Sequence, residues 1–469
     1  MTTQPQPAVL TAPADSRPGR WIRRWQPEDP AFWAAAGARV ARRNLVFSVL
    51  SEHVGFSVWS LWSVLVLFLT PAYGISHDLK TAAAEKFLLT TLPTAVGAVV
   101  RLPYTLAVAR FGGRNWTVIS AGQLLIPTVA AAAVLTPGVS YGTLLIVAAL
   151  AGAGGGNFAS SMANINSFYP QRLKGRALGL NAGGGNIGVA VAQLAGLAVL
   201  ATAGKGHPRM MLAIYIPLVI LAAVCAALFM DNIAHVRNEH RAMRLACRDP
   251  HTWVISILYV GTFGSFIGFS FAFGQVLSYQ FAGHFSSHGA VDPVKVAGVT
   301  FLGPLIGSLI RPAGGWLGDR AGGAVTTLWS FLAMAAAAAV VLAATEQKSI
   351  LLFYVGFTAL FAFSGIGNGS TYKMIPAVFL AKAARAVAAG HDPAAAQENA
   401  RRLAGAVIGI AAAVGAAGGV LVNIAFRQSF LAAGTGTGAY VGFIVFYLAA
   451  VALTWLAYLR PSPNRLAGV

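Results

Sequence analysis

Long stretches without charge recur along the whole 469-residue chain, and they dictate most of what it can become. Each runs to about 20 apolar residues, enough as a helix to cross about 30 Å of hydrocarbon. A backbone in lipid must satisfy its own hydrogen bonds, so each run is read as a helix. Twelve are legible, at residues 44–71, 87–109, 116–136, 141–168, 176–203, 210–230, 251–281, 296–318, 324–344, 350–380, 402–426 and 437–459. Only 10% of the residues are charged. Soluble domains carry about 25%, so a water-soluble fold is excluded. The 52 glycines suit helices that approach closely in lipid. The expected fold class is an all-α polytopic membrane protein.

A net charge of +19 raises the question of nucleic acid, and its distribution answers it. Arg17, Arg20, Arg23, Arg24, Arg39, Arg42 and Arg43 precede the first run. Arg172, Lys174 and Arg176 lie between the fourth and fifth, and Arg237, Arg241, Arg244 and Arg248 between the sixth and seventh. Lys382, Arg385, Arg401 and Arg402 lie between the tenth and eleventh, whereas the alternate loops carry few positive charges. That is the positive-inside pattern, with both termini in the cytoplasm of an inner-membrane protein and no nucleic-acid partner. Residues 1–43 are polar, Pro-rich and basic, without a cleavable signal, and are expected to form a cytoplasmic tail. Cys225 and Cys247 have neither metal-ligand nor redox spacing, and no metal or cofactor is expected.

Two arginines interrupt the apolar pattern. Arg101 is followed by Arg110 and Gly112-Gly113, and Arg311 by Arg320 and Gly322-Gly323, with identical spacing. Gly55-Phe56-Ser57 likewise echoes Gly268-Phe269-Ser270, and Gly156-Asn157 echoes Gly367-Asn368. Offsets of 210, 213 and 211 residues indicate a duplicated six-helix unit, spanning 44–230 and 251–459, joined by a linker at 231–250 and followed by a tail at 460–469. Such duplication is the architecture of secondary transporters. Nine residues of helix, about 13–14 Å, separate each inner arginine from its outer partner, which puts Arg101 and Arg311 near the midplane. A guanidinium keeps its proton, so two of them at depth need something negative. Glu52 is the single acid inside the first-half runs, and Asp319 lies at a membrane edge, so buried carboxylates are a poor source of partners. The pair is read as the site of a carrier for a small anion, for which planar donor forks suit a flat oxyanion. Lys373 is expected to reach for the interface.

The stretch Gly315-Trp316-Leu317-Gly318-Asp319-Arg320 resembles the loop motif of the major facilitator superfamily, while Ala109 stands where the first copy usually has Asp. Asn157–Asn164, Leu178–Gly188, Tyr259–Ser270, Ser364–Pro376 and Gly415–Gly419 resemble segments of its nitrate/nitrite porters. The resemblance implies twelve transmembrane helices in two pseudo-symmetric six-helix bundles. It also implies a monomeric carrier for nitrate and nitrite that works by alternating access, in nitrate respiration or denitrification. It places Arg101, Arg311, Asn186, Tyr259, Phe158 and Phe263 around the anion, with the rings sandwiching it. Ala182 replaces a glycine common in the family beside the substrate. Gly183, Gly184, Gly185 and Gly188 in one helix, and Gly415, Gly418 and Gly419 in another, offer smooth surfaces for one half to rock on the other. Gly183, Gly185 and Gly188 also match a dinucleotide fingerprint, but no strand precedes them, and that reading is rejected.

Two coupling modes stay open at this level. Arginines do not titrate, so the economical expectation is nitrate/nitrite exchange. The alternative is nitrate/proton symport, for which Glu52 and His53 are the candidate proton carriers. No nucleophile, metal or paired-carboxylate cluster suggests an enzyme.

Overall fold

The computed structural model describes residues 20–234, 240–287, 290–461, 466 and 469. Among them are twelve helices long and apolar enough to cross a membrane. In the first half these are α1 (Pro30–Leu65), α2 (Leu79–Phe111), α3 (Gly113–Val134), α4 (Tyr141–Phe168), α5 (Gln171–Thr202) and α6 (Arg209–Phe229). In the second they are α7 (Pro250–Gln280), α8 (Pro293–Ala321), α9 (Gly323–Glu346), α10 (Ile350–Ala388), α11 (Pro393–Ala433) and α12 (Thr437–Leu459). Side-chain caps fix several starts: Asp78 accepts from the Thr81 N–H, Asp249 from His251 and Asp392 from Ala395.

The two six-helix bundles repeat one packing scheme. α2 packs on α4 as α8 does on α10, α1 on α5 as α7 on α11, and α3 on α6 as α9 on α12. The Gly-Gly repeat becomes a matched turn, with Gly112 at φ 87° and Gly322 at φ 92°. Only glycine adopts that backbone without strain, so the duplicated glycines set how α3 leaves α2 and α9 leaves α8. The halves meet along α2 against α11 and α5 against α8, with α7 also touching α1 and α2.

Residues 20–43 depart from the expected tail. α1 starts at Pro30, with Asp29 accepting from the Ala31 N–H, and a π-turn at Trp33–Gly37 opens into regular helix. Before it, β1 (Trp21–Ile22) pairs in parallel with β2 (Asn232–Ile233) of the expected linker. Asp231 anchors the junction, accepting from Arg20 at 3.0 Å, Arg43 at 2.5 Å and Asn44 at 2.9 Å. Arg39, Arg42 and Arg43 therefore lie on α1, which extends N-terminal to the apolar run. The linker also holds a short helix, His240–Arg248, packed on α11. Residues 1–19 lie outside the described residues, as do 462–465 and 467–468 of the expected tail at 460–469, whose Leu466 and Val469 are buried.

Candidate functional site

Arg101 is wholly buried on α2 and Arg311 is 7% exposed on α8. Each precedes a helix-weakening proline by one or two residues, Pro103 and Pro312. The Arg101 Nε donates to the Gly155 carbonyl at 3.1 Å, and one terminal nitrogen donates to the Ala412 carbonyl at 2.7 Å. Gly155 belongs to α4 of the same half and Ala412 to α11 of the other. The remaining terminal nitrogen, Nη2, is buried without a partner. Arg311 mirrors this. Its Nη2 donates to the Tyr259 hydroxyl at 3.3 Å, and its Nη1 is buried without a partner. Neither arginine forms an ion pair with any described residue.

Aromatic rings connect the two cations. The Arg101 guanidinium lies 4.9 Å from the Phe158 and Phe263 centroids and 5.3 Å from that of Trp59. Phe263 stacks on Tyr259 with centroids 5.2 Å apart and planes 8° from parallel, and Tyr259 bonds Arg311. The π-turn at Val260–Gly264 lies within this stacked pair, and such turns concentrate at functional sites. Tyr372 of α10 adds a ring 5.8 Å from the Arg311 guanidinium. Phe158 and Phe263 stack on each other at 6.0 Å. A flat ion between two rings needs about 7 Å, two contacts of about 3.5 Å. The expected sandwich therefore requires these rings to part. In this conformation they stabilise the guanidinium instead.

Asn186 is fully buried and both its amide atoms lack partners. Ala182 is buried one turn earlier on α5. Glu52 is fully buried on α1, where one carboxylate oxygen accepts from Ser161 and from Asn181 at 2.6 Å while the other has no partner. His53 instead meets the Gly184 carbonyl, at 3.1 Å. Lys373 is exposed and paired with Asp319 at a helix end, away from the arginines. The glycines divide. A side chain at Gly184, Gly185 or Gly188 would strike Val49, Glu52 or the His53 carbonyl of α1, and one at Gly418 would lie 2.5 Å from the Val260 carbonyl. Gly415 faces Tyr259, and Gly419 faces Thr94 across the halves. A side chain at Gly183 would meet nothing, so this glycine is not a packing contact here.

The contacts between the halves differ towards the two ends. Towards the end that carries β1 and β2, a cavity of about 30 Å³ runs between the halves, lined by Thr105, Phe158, Met162, Tyr372, Ile408 and Ala412. Towards the other end the halves are tied. Gln193 donates to the Ser270 carbonyl at 2.8 Å, Thr90 donates to Asn423 at 3.1 Å and Phe87 stacks on Phe426. Trp59, Tyr372 and the Ala412 carbonyl were not singled out from sequence. Trp59 lies in an aromatic-rich run like any core tryptophan. Tyr372 could have been noticed from its place beside Lys373 in a family segment. A backbone acceptor carries no residue signal.

A model of the Major Facilitator Superfamily matches residues 53–423. The nitrate/nitrite transporter NarU of Escherichia coli is 38% identical over 460 residues, 94% of this chain and 96% of that protein. The probable nitrate/nitrite antiporter NarK2 of Thermus thermophilus is 34% identical over 473 residues, 96% and 99% of the two. Among solved structures, a partially occluded inward-open xylose transporter XylE from E. coli superposes with a TM-score of 0.63 at 13% identity, over 91% of this chain and 99% of that one. The chain belongs to the Major Facilitator Superfamily and, within it, to the nitrate/nitrite porter family.

Proposed function

We propose that this protein exchanges nitrate for nitrite across the cytoplasmic membrane by alternating access. One observation carries the reading: two buried guanidiniums, one from each half, share a chain of stacked rings and each keeps a terminal nitrogen without a partner. A planar monovalent oxyanion suits those donors, and two relatives carry nitrate/nitrite transport or antiport in their names. With the anion bound, its charge offsets the desolvated cations. The empty carrier keeps both positive charges and reorients slowly, so outward movement of one anion accompanies inward movement of another. Positive-inside loops support cytoplasmic termini, which puts the small cavity between the halves on the cytoplasmic side. The protein acts as a monomer with no cofactor, and no enzymatic step is needed.

Proteoliposomes test this. Nitrate uptake should require internal nitrite or nitrate and should not respond to an imposed pH gradient. Uptake into nitrite-free vesicles driven by a pH gradient would overturn exchange. The second reading, nitrate/proton symport, is supported by the buried carboxylate of Glu52 with its one unpartnered oxygen. Under that reading, Glu52→Gln would abolish the pH-driven uptake.

A further inference from the structure

Tyr372 belongs to none of the roles assigned above, yet its hydroxyl is buried without a partner. A phenol O–H removed from water ordinarily finds an acceptor, because leaving it unmade is costly. The ring is tilted against Tyr259 at 6.1 Å and faces Arg311 at 5.8 Å. The same residue lines the cavity between the halves, together with Phe158 and with Ala412, whose carbonyl holds Arg101. Tyr372 thus faces Arg311 directly and shares the cavity with the residue whose carbonyl holds Arg101. Arg101 Nη2, Arg311 Nη1 and Tyr372 Oη are buried donors without acceptors, as is the Asn186 amide on α5.

Nitrate and nitrite differ in one respect that such a set can read. Nitrate has three oxygens in a plane, and nitrite has two. Arginines from opposite halves can serve two oxygens of either ion. A donor aimed along the third N–O direction meets an oxygen only in nitrate, because nitrite has a nitrogen lone pair there. We propose that the Tyr372 hydroxyl donates to the third oxygen of bound nitrate and so sets the preference for nitrate over nitrite. This rests on the nitrate/nitrite reading of the arginine pair. The Tyr259 hydroxyl is held by Arg311, from which its oxygen accepts, whereas the Tyr372 hydroxyl has no partner in the protein.

The test is Tyr372→Phe in the purified full-length protein, with nitrate and nitrite binding measured separately by titration calorimetry. Phenylalanine keeps the ring over Arg311 and removes only the hydroxyl. Nitrate affinity should fall about 10–100-fold, the worth of one hydrogen bond to a charged acceptor, while nitrite affinity changes less than about threefold. In exchange assays the KM for nitrate should rise while the nitrite KM holds. Tyr372→Leu, which also deletes the ring, should weaken both ions, and an unchanged melting temperature without anion would show that each variant folds. Equal loss for both ions, or no loss for either, overturns the proposal. Wild-type protein that binds neither ion, or Arg311→Lys that leaves both affinities intact, would instead sink the reading on which it rests.

Discussion

Replacing Arg101 with lysine separates charge from shape at the site. The native guanidinium uses two nitrogens on the Gly155 and Ala412 carbonyls and keeps a third free. Lysine keeps the positive charge but offers one nitrogen, which cannot span both carbonyls and also present a planar edge to an anion. One charge-assisted hydrogen bond lost is worth about 1.5–3 kcal/mol, or about 10–150-fold in anion affinity. The rings at 4.9 Å and 5.3 Å add to this, because a shortened, compact ammonium loses face-on contact with Phe158, Phe263 and Trp59. Arg101→Lys should therefore raise the KM for external nitrite at least tenfold in counterflow assays and lose most transport at low substrate. Thermal stabilisation by saturating nitrate should shrink in parallel, since ligand stabilisation follows RT ln(1 + [L]/Kd). A variant that keeps its KM within about threefold of the parent would refute the idea that this fork grips the anion.

Further outcomes follow from other contacts. Gly418→Ala places a methyl 2.5 Å from the Val260 carbonyl, so it should depress exchange severely, whereas Gly183→Ala, which meets nothing, should keep folded yield and rate. Flux ratios of the two variants in one vesicle preparation check this. Asp231→Ala leaves Arg20 and Arg43 without their shared acceptor and should cost about 1–3 kcal/mol, seen as a lower melting temperature with little change in KM. Exchange between equal internal and external pH should vary little from about pH 6 to 8, because a guanidinium does not titrate there. A steep fall with rising pH would point to Glu52 as a proton carrier.

The sequence exposed what repeats and what is apolar. Twelve spans, the duplicated arginines and the matched turns at Gly112 and Gly322 were legible because lipid and backbone geometry constrain residue type directly. Helix ends were not. α1 begins at Pro30 and α10 runs to Ala388, well past the apolar limits. Hydropathy marks where a helix touches hydrocarbon, and says little about where it stops in water. The site was legible in its charges and obscure in its neighbours. Glu52 and His53 stood together in the sequence as candidate proton carriers, but the two side chains diverge, one to Ser161 and Asn181 and the other to a carbonyl of α5. Adjacent helical residues point about 100° apart, so adjacency in the chain does not give them common partners. Tyr372 and Trp59 gained meaning only when packing brought their faces to the arginines.

The bond from Arg101 to the Ala412 carbonyl crosses between the halves. One side chain thereby clasps the opposing bundle with one hand while its other hand stays open for cargo. Parting the bundles towards the cytoplasm strips that side chain of a neighbour, and an arriving ion is the most favourable replacement. Loading and unlatching then become a single event, and a carrier built this way would hesitate to swing with an idle hand.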